Sequence, residues 1–417
     1  MELKRVVVTG LGALTPIGNT VPEFWDSLIN GVSGAAPITK YDTTNFKTKF
    51  ACEVKNFNPE DFMDKKEARK LDPFVHYALA STDEAVKDAG LDFEKFDTNR
   101  IGVIWGSGIG GLKTFLDEVT NYAKGDGTPR FNPFFIPKMI LDIAPGHISI
   151  KYGLRGPNFS TVSACASSTN ALIDSFNYIR LGMADIIVSG GSEAIINEAG
   201  MGGFNAMHAL STRNDDPTTA SRPFDNDRDG FVAGEGAGTI ILEELEHAKA
   251  RGAKIYAEII GGGMSADANH ITAPHPEGLG ARLVMTNALK DAGLTTADID
   301  YINVHGTSTP LGDISESKAI VELYGEDAYK LNISSTKSMT GHLLGAAGAI
   351  EAIASILAVK NDIVPPTINH FTDDPRVDPK LNLTFNKAQK RVVRAAQSNT
   401  FGFGGHNASV IFKKYEE

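Results

Sequence analysis

Three short motifs each place a reactive side chain beside glycine or other small residues. The segment SACASS contains Cys165, HGTSTPLGD begins with His305, and STKSMTGH ends with His342. A thiol becomes a strong nucleophile as a thiolate, and imidazole N–H groups stabilise an oxygen that gains negative charge. If the fold brings the three together, they form a thiolate nucleophile with two hydrogen-bond donors for a developing oxyanion.

Cys165 lies between a predicted short strand, 159–164, and a predicted helix from about Ala166 to Arg180. A thiol at a helix N-terminus is favoured as a thiolate by the helix dipole. The alternative is a small buried thiol used for packing, which is the commoner fate of a free cysteine. For Cys52, in KFACEVKNF, packing is the better interpretation.

The two histidines occupy similar positions relative to predicted elements. His305 follows the apolar run Tyr301 to Val304, and His342 precedes a predicted helix from about Gly345 to Lys360. The end of a parallel strand delivers a side chain into a crevice, although either histidine alone is also explained as a satisfied structural residue. A zinc site is not expected, because the HExxH and CxxC spacings are absent.

Apolar, β-branched runs alternate with helical patterns along the whole chain, which predicts an α/β protein with largely buried sheets. The runs are Val6 to Val8, Ile101 to Trp105, Ile186 to Val188, Thr239 to Leu242, Ile255 to Ile260, Tyr301 to Val304 and Ser409 to Phe412.

The second half of the chain repeats the plan of the first. In each half, a reactive residue precedes a helix rich in Ala, Gly and Ser, and small residues allow two such helices to pack together where the halves meet. Only Arg251 to Lys254 lies between the halves, without a Pro- or Ser-rich linker. We therefore expect halves of 1–253, with the nucleophile, and 254–417, with the two histidines, around a shared core.

Composition excludes several classes of protein. A chain of 417 residues, 42% of them hydrophobic, buries a sizeable core. The net charge of −11 disfavours nucleic-acid binding, and two cysteines suggest no disulfide framework and therefore a reducing compartment. No segment is expected to span a membrane or act as a secretory signal, so a cytoplasmic location is predicted.

Four strings resemble, in order and spacing, the type II elongating β-ketoacyl-acyl carrier protein synthases: SACASSTNAL, VHGTSTPLGD, STKSMTGHLLGAAGAIE and NTFGFGGHNAS. The similarity extends from RVVVTGLGALTPIG to the last predicted strand. It implies the thiolase-like fold, a five-layered αβαβα arrangement of two pseudo-duplicated halves, in a homodimeric enzyme of fatty acid synthesis. It also implies acyl- and malonyl-loaded acyl carrier protein as partners. No cofactor is expected, since phosphopantetheine arrives on the carrier protein.

The resemblance assigns roles to the reactive residues. Cys165 carries the acyl chain as a thioester, and malonyl carrier protein loses CO2 to give the attacking carbanion. His305 and His342 stabilise the negative charge that this loss creates on the malonyl thioester oxygen. Initiating synthases have Asn in place of the second His. Lys337 matches the family lysine and provides electrostatic support, paired with Glu351, although that pair is also explained as a buried structural ion pair.

The resemblance further implies that the backbone N–H groups of Cys165 and Phe401 form an oxyanion hole, with the Phe401 ring gating the acyl pocket. A purely structural glycine-rich turn is the alternative for FGFGGHN. Ile109 is expected to meet the growing acyl chain. The other expected substrate-binding residues are Thr272, Thr307, Thr309 and Phe403. The hydroxyls of Thr307 and Thr309 either bind the phosphopantetheine arm or cap the turn.

Four basic side chains are expected to dock the acidic carrier protein: Lys65, Lys66, Arg69 and Lys70. They lie within about 140° of arc if Asp64 to Lys70 is helical. A basic face on an acidic protein suits an acidic partner, although most charge runs are solvated surface.

Competing classes fit less well. A nicotinamide oxidoreductase is disfavoured because Thr15 occupies the third glycine position of the fingerprint in VVVTGLGALTP. A non-catalytic chain-length factor lacks the nucleophile, and a biosynthetic thiolase needs a second cysteine in the second half. A polyketide ketosynthase with the same chemistry remains open.

Overall fold

Fourteen strands and thirteen α-helices are assigned in the computed structural model, which describes residues 3–416; residues 1, 2 and 417, at the outer ends of the two predicted halves, lie outside it. The strands are β1 Val6–Leu14, β2 Ala36–Pro37, β3 Phe50–Ala51, β4 Ile101–Gly106, β5 Asn158–Thr161, β6 Ile186–Glu193, β7 Gly236–Glu244, β8 Ala257–Ala266, β9 Tyr301–Asn303, β10 Asn332–Ser334, β11 Ile363–Val364, β12 Gln389–Lys390, β13 Ala395–Gly402 and β14 His406–Lys413. The helices are α1 Val21–Ile29, α2 Lys65–Ala68, α3 Pro73–Asp88, α4 Leu112–Lys124, α5 Phe135–Met139, α6 Ile143–Tyr152, α7 Ser167–Arg180, α8 Glu198–Ala206, α9 Leu245–Ala250, α10 Leu279–Ala292, α11 Gly312–Tyr324, α12 Lys337–Thr340 and α13 Ala347–Asn361.

Ten strands form one sheet whose order reveals an internal duplication. From the centre outward the first half is ordered β1-β7-β6-β4-β5, and the second half is ordered β8-β14-β13-β9-β10. Each half has two antiparallel pairings followed by two parallel ones. The halves join where Val6–Val8 pairs with Ala257–Ile259. The predicted duplication is therefore confirmed by topology, although the boundary between residues 253 and 254 stays a prediction.

The helices complete a layered architecture. Helices α7 and α13 contact each other and strands of both halves, while α3 and α6 cover the outer face of the first half and α10 and α11 that of the second. The sequence of layers is thus helix, sheet, helix, sheet, helix, as the resemblance implied. Small residues explain the close central packing, because a Cβ on Gly348 would lie 2.0 Å from Thr169 Oγ1.

Two local predictions differ from the structure. Strand β13 was not predicted, because its sequence AAQSNTFG contains no apolar run. Its first six residues are nevertheless buried, since the two halves pack around them. The predicted helix over Asp64 to Lys70 is shorter, since α2 ends at Ala68.

One segment of the described chain has the length and composition of a membrane span. Leu344–Asn361 is long and apolar enough to cross a membrane by length and composition alone, but 89% of it is buried inside the protein. This stretch contains α13, the central-layer helix, which is apolar on all sides because two sheets enclose it. Its apolar character is thus explained by core packing.

Candidate active site

Cys165 lies in a single 3-10 turn, Ala164–Ala166, that leads directly into α7. Strand β5 ends at Thr161, before the predicted end at Ala164. Ala164 has a φ of 51°, in the left-handed region that residues with a Cβ rarely adopt. The strained turn brings the thiol, which is 6% exposed, to the N-terminal end of α7 and the wall of a large cavity.

His342 is fixed by both its backbone and its ring. Its N–H donates to the carbonyl of Val232 at 2.7 Å, and its own carbonyl accepts from Gly234 at 2.9 Å. The N–H of Leu344 donates to Nδ1 at 3.3 Å, and Nε2 lies 3.1 Å from the Cys165 sulfur. Because Nδ1 accepts, the neutral ring carries its proton on Nε2 and donates it to the sulfur.

His305 stands beside this pair. Its ring centroid lies 5.3 Å from that of His342 in an edge-on arrangement. Its backbone N–H and that of Gly306 donate to the two carboxylate oxygens of Glu316, each at 2.9 Å. The buried Nδ1 of His305 has no hydrogen-bond partner within residues 3–416. This atom is enclosed by protein, while the residue itself lines the large cavity.

Burial controls the protonation of the three reactive groups. It raises the pKa of the Cys165 thiol to about 12, against the effects of Lys337 and the Phe403 backbone N–H, which lower it. Burial, and next the charge of Lys337, lower the pKa of His305 and of His342 well below 6.5. At neutral pH the histidines are therefore neutral N–H donors. The thiolate depends on the α7 dipole and those donors against the cost of burial.

Lys337 and Glu351 form the expected ion pair. Both side chains are almost completely buried, and burial raises the pKa of Glu351 to about 7. Lys337 begins α12, and its charge acts on Cys165, His305 and His342 without touching them. The pair thus combines the two interpretations offered by the sequence: it is a buried ion pair whose cation also adds positive potential at the site.

The glycine-rich tail segment closes one side of the site. The backbone N–H of Phe403 lowers the pKa of the Cys165 thiol. Phe401 places its ring 5.6 Å from that of His305. A Cβ on Gly402 would lie 3.1 Å from the backbone nitrogen of Cys165, so glycine keeps that side open. Phe403 is therefore a further candidate for the second oxyanion-hole donor, and the role of the Phe401 N–H stays a prediction.

One cavity of about 690 Å³ contains the three reactive side chains and every predicted substrate-binding residue. Ile109 follows β4 at its wall, and the hydroxyls of Thr307 and Thr309 lie 3.0 Å apart. Around Cys165 the cavity merges with an apolar cluster that includes Phe204 and Leu112. Its lining also includes Thr272, Phe401 and Phe403. An apolar interior with a few polar groups suits an acyl chain on a flexible arm.

The four predicted docking residues differ in how free their charges are. Lys65 pairs with Glu60 at 3.2 Å, and Lys70 with Glu67 at 2.6 Å. Lys66 and Arg69 are exposed, and neither forms an ion pair within residues 3–416. The surface therefore offers two uncompensated positive charges rather than four.

The reactive groups also satisfy the distance requirement for a metal ligand set. One ligand atom from each of Cys165, His305 and His342 lies within 4.8 Å of the others. The sequence predicted no metal because the local ligand spacings are absent. That reasoning does not apply here, because the fold brings together ligands that are far apart in the chain. The absence of a metal stays a prediction.

The chain matches two family models in tandem. Residues 3–248 match "Beta-ketoacyl synthase, N-terminal domain", and residues 256–371 match "Beta-ketoacyl synthase, C-terminal domain". Together these matches cover most of the chain, including all five strands of the first half of the sheet and β8, β9 and β10 of the second.

Full-length relatives agree. A 3-oxoacyl-[acyl-carrier-protein] synthase 2 from Staphylococcus aureus is 52% identical over 414 residues, 99% of each chain. The solved ishigamide ketosynthase/chain length factor is 36% identical with a TM-score of 0.92, over 99% of this chain and 100% of that one. A type II polyketide synthase ketosynthase, solved in complex with its acyl-carrier protein, is 33% identical with a TM-score of 0.89 over the same shares.

Proposed function

Since this chain belongs to the β-ketoacyl synthase family, we propose that it lengthens an acyl chain by two carbons through decarboxylative Claisen condensation. An acyl group bound to Cys165 reacts with malonyl-acyl carrier protein to give 3-oxoacyl-acyl carrier protein and CO2. The observation that carries this function is the convergence of one thiol and two neutral imidazoles within 4.8 Å in an apolar cavity.

Acyl transfer comes first. The Cys165 sulfur attacks the thioester carbon of the acyl carrier protein, the carrier thiol leaves with the proton, and an acyl-enzyme remains. The negative oxygen of the tetrahedral intermediate is stabilised by the backbone N–H groups of Cys165 and Phe403, on the side that Gly402 keeps open. The α7 N-terminus favours the attacking thiolate.

Condensation follows at the two histidines. The bond between the malonyl α-carbon and its carboxylate breaks, CO2 leaves, and the electron pair moves to the thioester oxygen as an enolate. Neutral His305 and His342 donate N–H bonds to that oxygen, and Lys337 adds positive potential. The α-carbon then attacks the acyl thioester, and the C–S electron pair returns to Cys165. No α-proton has to be removed, so no strong base is required.

Fatty acid elongation is favoured over polyketide synthesis. The relative named as a 3-oxoacyl-[acyl-carrier-protein] synthase is 52% identical to this chain, whereas the ketosynthase of the type II polyketide synthase is 33% identical. A saturated long acyl chain also suits the apolar cluster beside Cys165.

Acyl carrier protein is the proposed partner. A structural relative was solved with its acyl-carrier protein, and the exposed Lys66 and Arg69 suit an acidic surface. The phosphopantetheine arm that it brings is the only prosthetic group the proposed reaction requires. Thr307 and Thr309, with hydroxyls in the cavity, are proposed to bind it, alongside Thr272. We propose a cytoplasmic location for the enzyme.

A homodimer is the proposed assembly. Within residues 3–416, β5 is the last strand of the sheet and pairs on one side only, so its outer edge is available to a second copy. Large apolar side chains nearby along the chain are exposed, among them Phe131, Phe134, Ile136 and Val162. Light scattering should give twice the chain mass, and Ile136→Asp with Val162→Asp should lower it.

The nucleophile is tested by mass spectrometry. After incubation with a long-chain acyl carrier protein, the peptide containing Cys165 should gain the acyl mass, and Cys165→Ala should abolish the adduct. Cys52→Ala is the matched control, since Cys52 is also a buried free cysteine but lies outside the cavity lining. An unmodified Cys165 in the wild-type protein would refute the assignment.

The histidines are tested separately through CO2 release from malonyl-acyl carrier protein. His305→Ala and His342→Ala should each abolish decarboxylation, whereas His247→Ala, which removes a ring bound to Glu243 away from the cavity, should not. Full decarboxylation in either of the first two variants would refute the enolate-stabilising role.

A further inference from the structure

One buried carboxylate joins the acyl-pocket wall to the histidine turn. Glu193 ends β6 and is 0% exposed. Its Oε1 accepts backbone N–H bonds from Ile109 at 3.1 Å and Gly110 at 3.2 Å. Its Oε2 accepts from Gly108 at 2.8 Å and from Gly345 at 3.0 Å. A single side chain therefore holds segments that lie in different halves of the molecule.

Each of those segments carries a functional group. The 108–110 segment presents Ile109 to the cavity. Gly345 follows Leu344, whose N–H donates to Nδ1 of His342 and thereby directs Nε2 towards the Cys165 sulfur. A chain of direct contacts thus connects the wall of the acyl pocket, through Glu193, with the ring that donates to the nucleophile.

The surroundings are shaped for this carboxylate. A Cβ at Gly108 would lie 2.8 Å from Glu193 Oε2, and one at Gly345 would lie 2.7 Å from it. Four N–H donors offset part of the cost of burying the carboxylate, whose pKa burial still raises. No Lys, Arg or His within residues 3–416 forms an ion pair with Glu193.

The charge of Glu193 does not help to activate the nucleophile. The charge of Glu193 raises the pKa of Cys165 and therefore disfavours the thiolate. What the carboxylate supplies instead is four acceptor positions in a fixed geometry, which an apolar side chain of the same size lacks. Its contribution to the reaction is therefore geometric.

We propose that Glu193 is a positioning residue that fixes the Ile109 wall and the His342 turn relative to each other, so that acyl-chain selection and decarboxylation depend on one carboxylate. This inference rests on the proposed condensation. Displacement of Ile109 by a long acyl chain is transmitted to the His342 turn through the Glu193 carboxylate, whose Oε1 accepts from Ile109 and whose Oε2 accepts from Gly345.

Glu193→Gln tests the proposal, because glutamine keeps the size but turns one acceptor oxygen into an amino donor that faces N–H groups. We expect kcat for CO2 release from malonyl-acyl carrier protein to fall about 100-fold, as for a misplaced catalytic group. The KM for the carrier protein should not change, because Lys66 and Arg69 lie on the outer surface. The ratio of kcat/KM for C14 over C6 acyl carrier proteins should move towards one.

Glu84→Gln is the matched control. Glu84 also accepts two backbone N–H bonds, from Ala13 at 2.8 Å and Val21 at 2.7 Å, but lies outside the cavity lining. It should retain wild-type kcat and the wild-type chain-length ratio.

Gly108→Ala is the second variant and decides the matter if Glu193→Gln does not fold. Its Cβ pushes directly on Oε2 and should lower kcat in the same direction. A folded variant of either kind with wild-type kcat and chain-length ratio would overturn the role of Glu193. A wild-type protein without CO2 release would instead overturn the proposed function.

Discussion

The turns that begin the two central helices have the same backbone conformation, but their N–H groups have different surroundings. Ala164, with φ of 51°, precedes Cys165 and α7, and Leu344, with φ of 48°, precedes Gly345 and α13. In the second half the N–H of Gly345 is occupied by the Glu193 carboxylate. In the first half Gly402, at the end of β13, leaves the N–H of Cys165 without a side chain against it.

The difference shows how a duplicated fold acquires one active site. Strands β6 and β13 occupy the same place in the two sheet orders, and each ends beside one of these turns. A carboxylate at the end of β6 makes the second turn a rigid support for His342. A glycine at the end of β13 makes the first turn an open oxyanion-binding position. The same orphan N–H groups of a helix start are thus used once for structure and once for chemistry.

Closing the open turn should have the largest effect. In Gly402→Ala the new Cβ would lie 2.6 Å from the Ser163 carbonyl and 3.1 Å from the Cys165 nitrogen, where the oxyanion has to bind. The rate of acyl-enzyme formation should fall by roughly 10²–10³-fold, as for loss of an oxyanion-hole donor. Gly146→Ala, whose Cβ meets nothing within 4 Å, serves as the control. Rapid acylation of Gly402→Ala would show that the two turns do not differ in this way.

The halves should also differ in carrier-protein docking. Lys66→Glu combined with Arg69→Glu in the first half should raise KM for acyl carrier protein by about tenfold, since two unpaired charges are reversed. Lys290→Glu, an exposed lysine in the second half, should leave KM unchanged. Steady-state kinetics at low salt measures both. Equal KM values for the two variants would remove the proposed docking surface.

The smallest expected effect concerns pH, which should affect the Cys165 thiol and the two histidines differently. Burial lowers the pKa of His305 and His342 well below 6.5, so both rings stay neutral and CO2 release should vary by less than about twofold between pH 6 and 8. Burial raises the pKa of Cys165 to about 12, so its alkylation by iodoacetamide should still increase with pH above 9. A midpoint near 6.5 in CO2 release would contradict neutral histidines.

Much of this site could be predicted because its signals are local. Cys165, His305 and His342 each stand in a short string with glycine or small residues and an adjoining strand or helix, and these strings carry the family resemblance. The repeated plan of the halves was visible for the same reason. Strand β13 was missed, because its buried polar residues have no periodic apolar pattern for a sequence to reveal.

Residues that act through distant backbone could not be predicted in this way. Glu193 is 152 positions from Gly345, and no local string marks their contact. The assignment of Phe401 to the oxyanion hole stays a prediction for a related reason. Which N–H in FGFGG faces Cys165 depends on how the β13–β14 hairpin lies against the turn at Ala164, and it is the N–H of Phe403 that lowers the pKa of the thiol.

The sequence by itself determined the chemical inventory, namely one thiol in a small-residue turn, two histidines, a lysine and two similar halves. Side-chain type and short-range backbone preference are properties of neighbouring residues, so a linear string expresses them. The tertiary structure alone decided which N–H groups are open, which are held by Glu193, and how burial sets the pKa values of the thiol and imidazoles. Those properties depend on desolvation and on contacts between segments far apart in the chain, which exist only once the two halves have packed together.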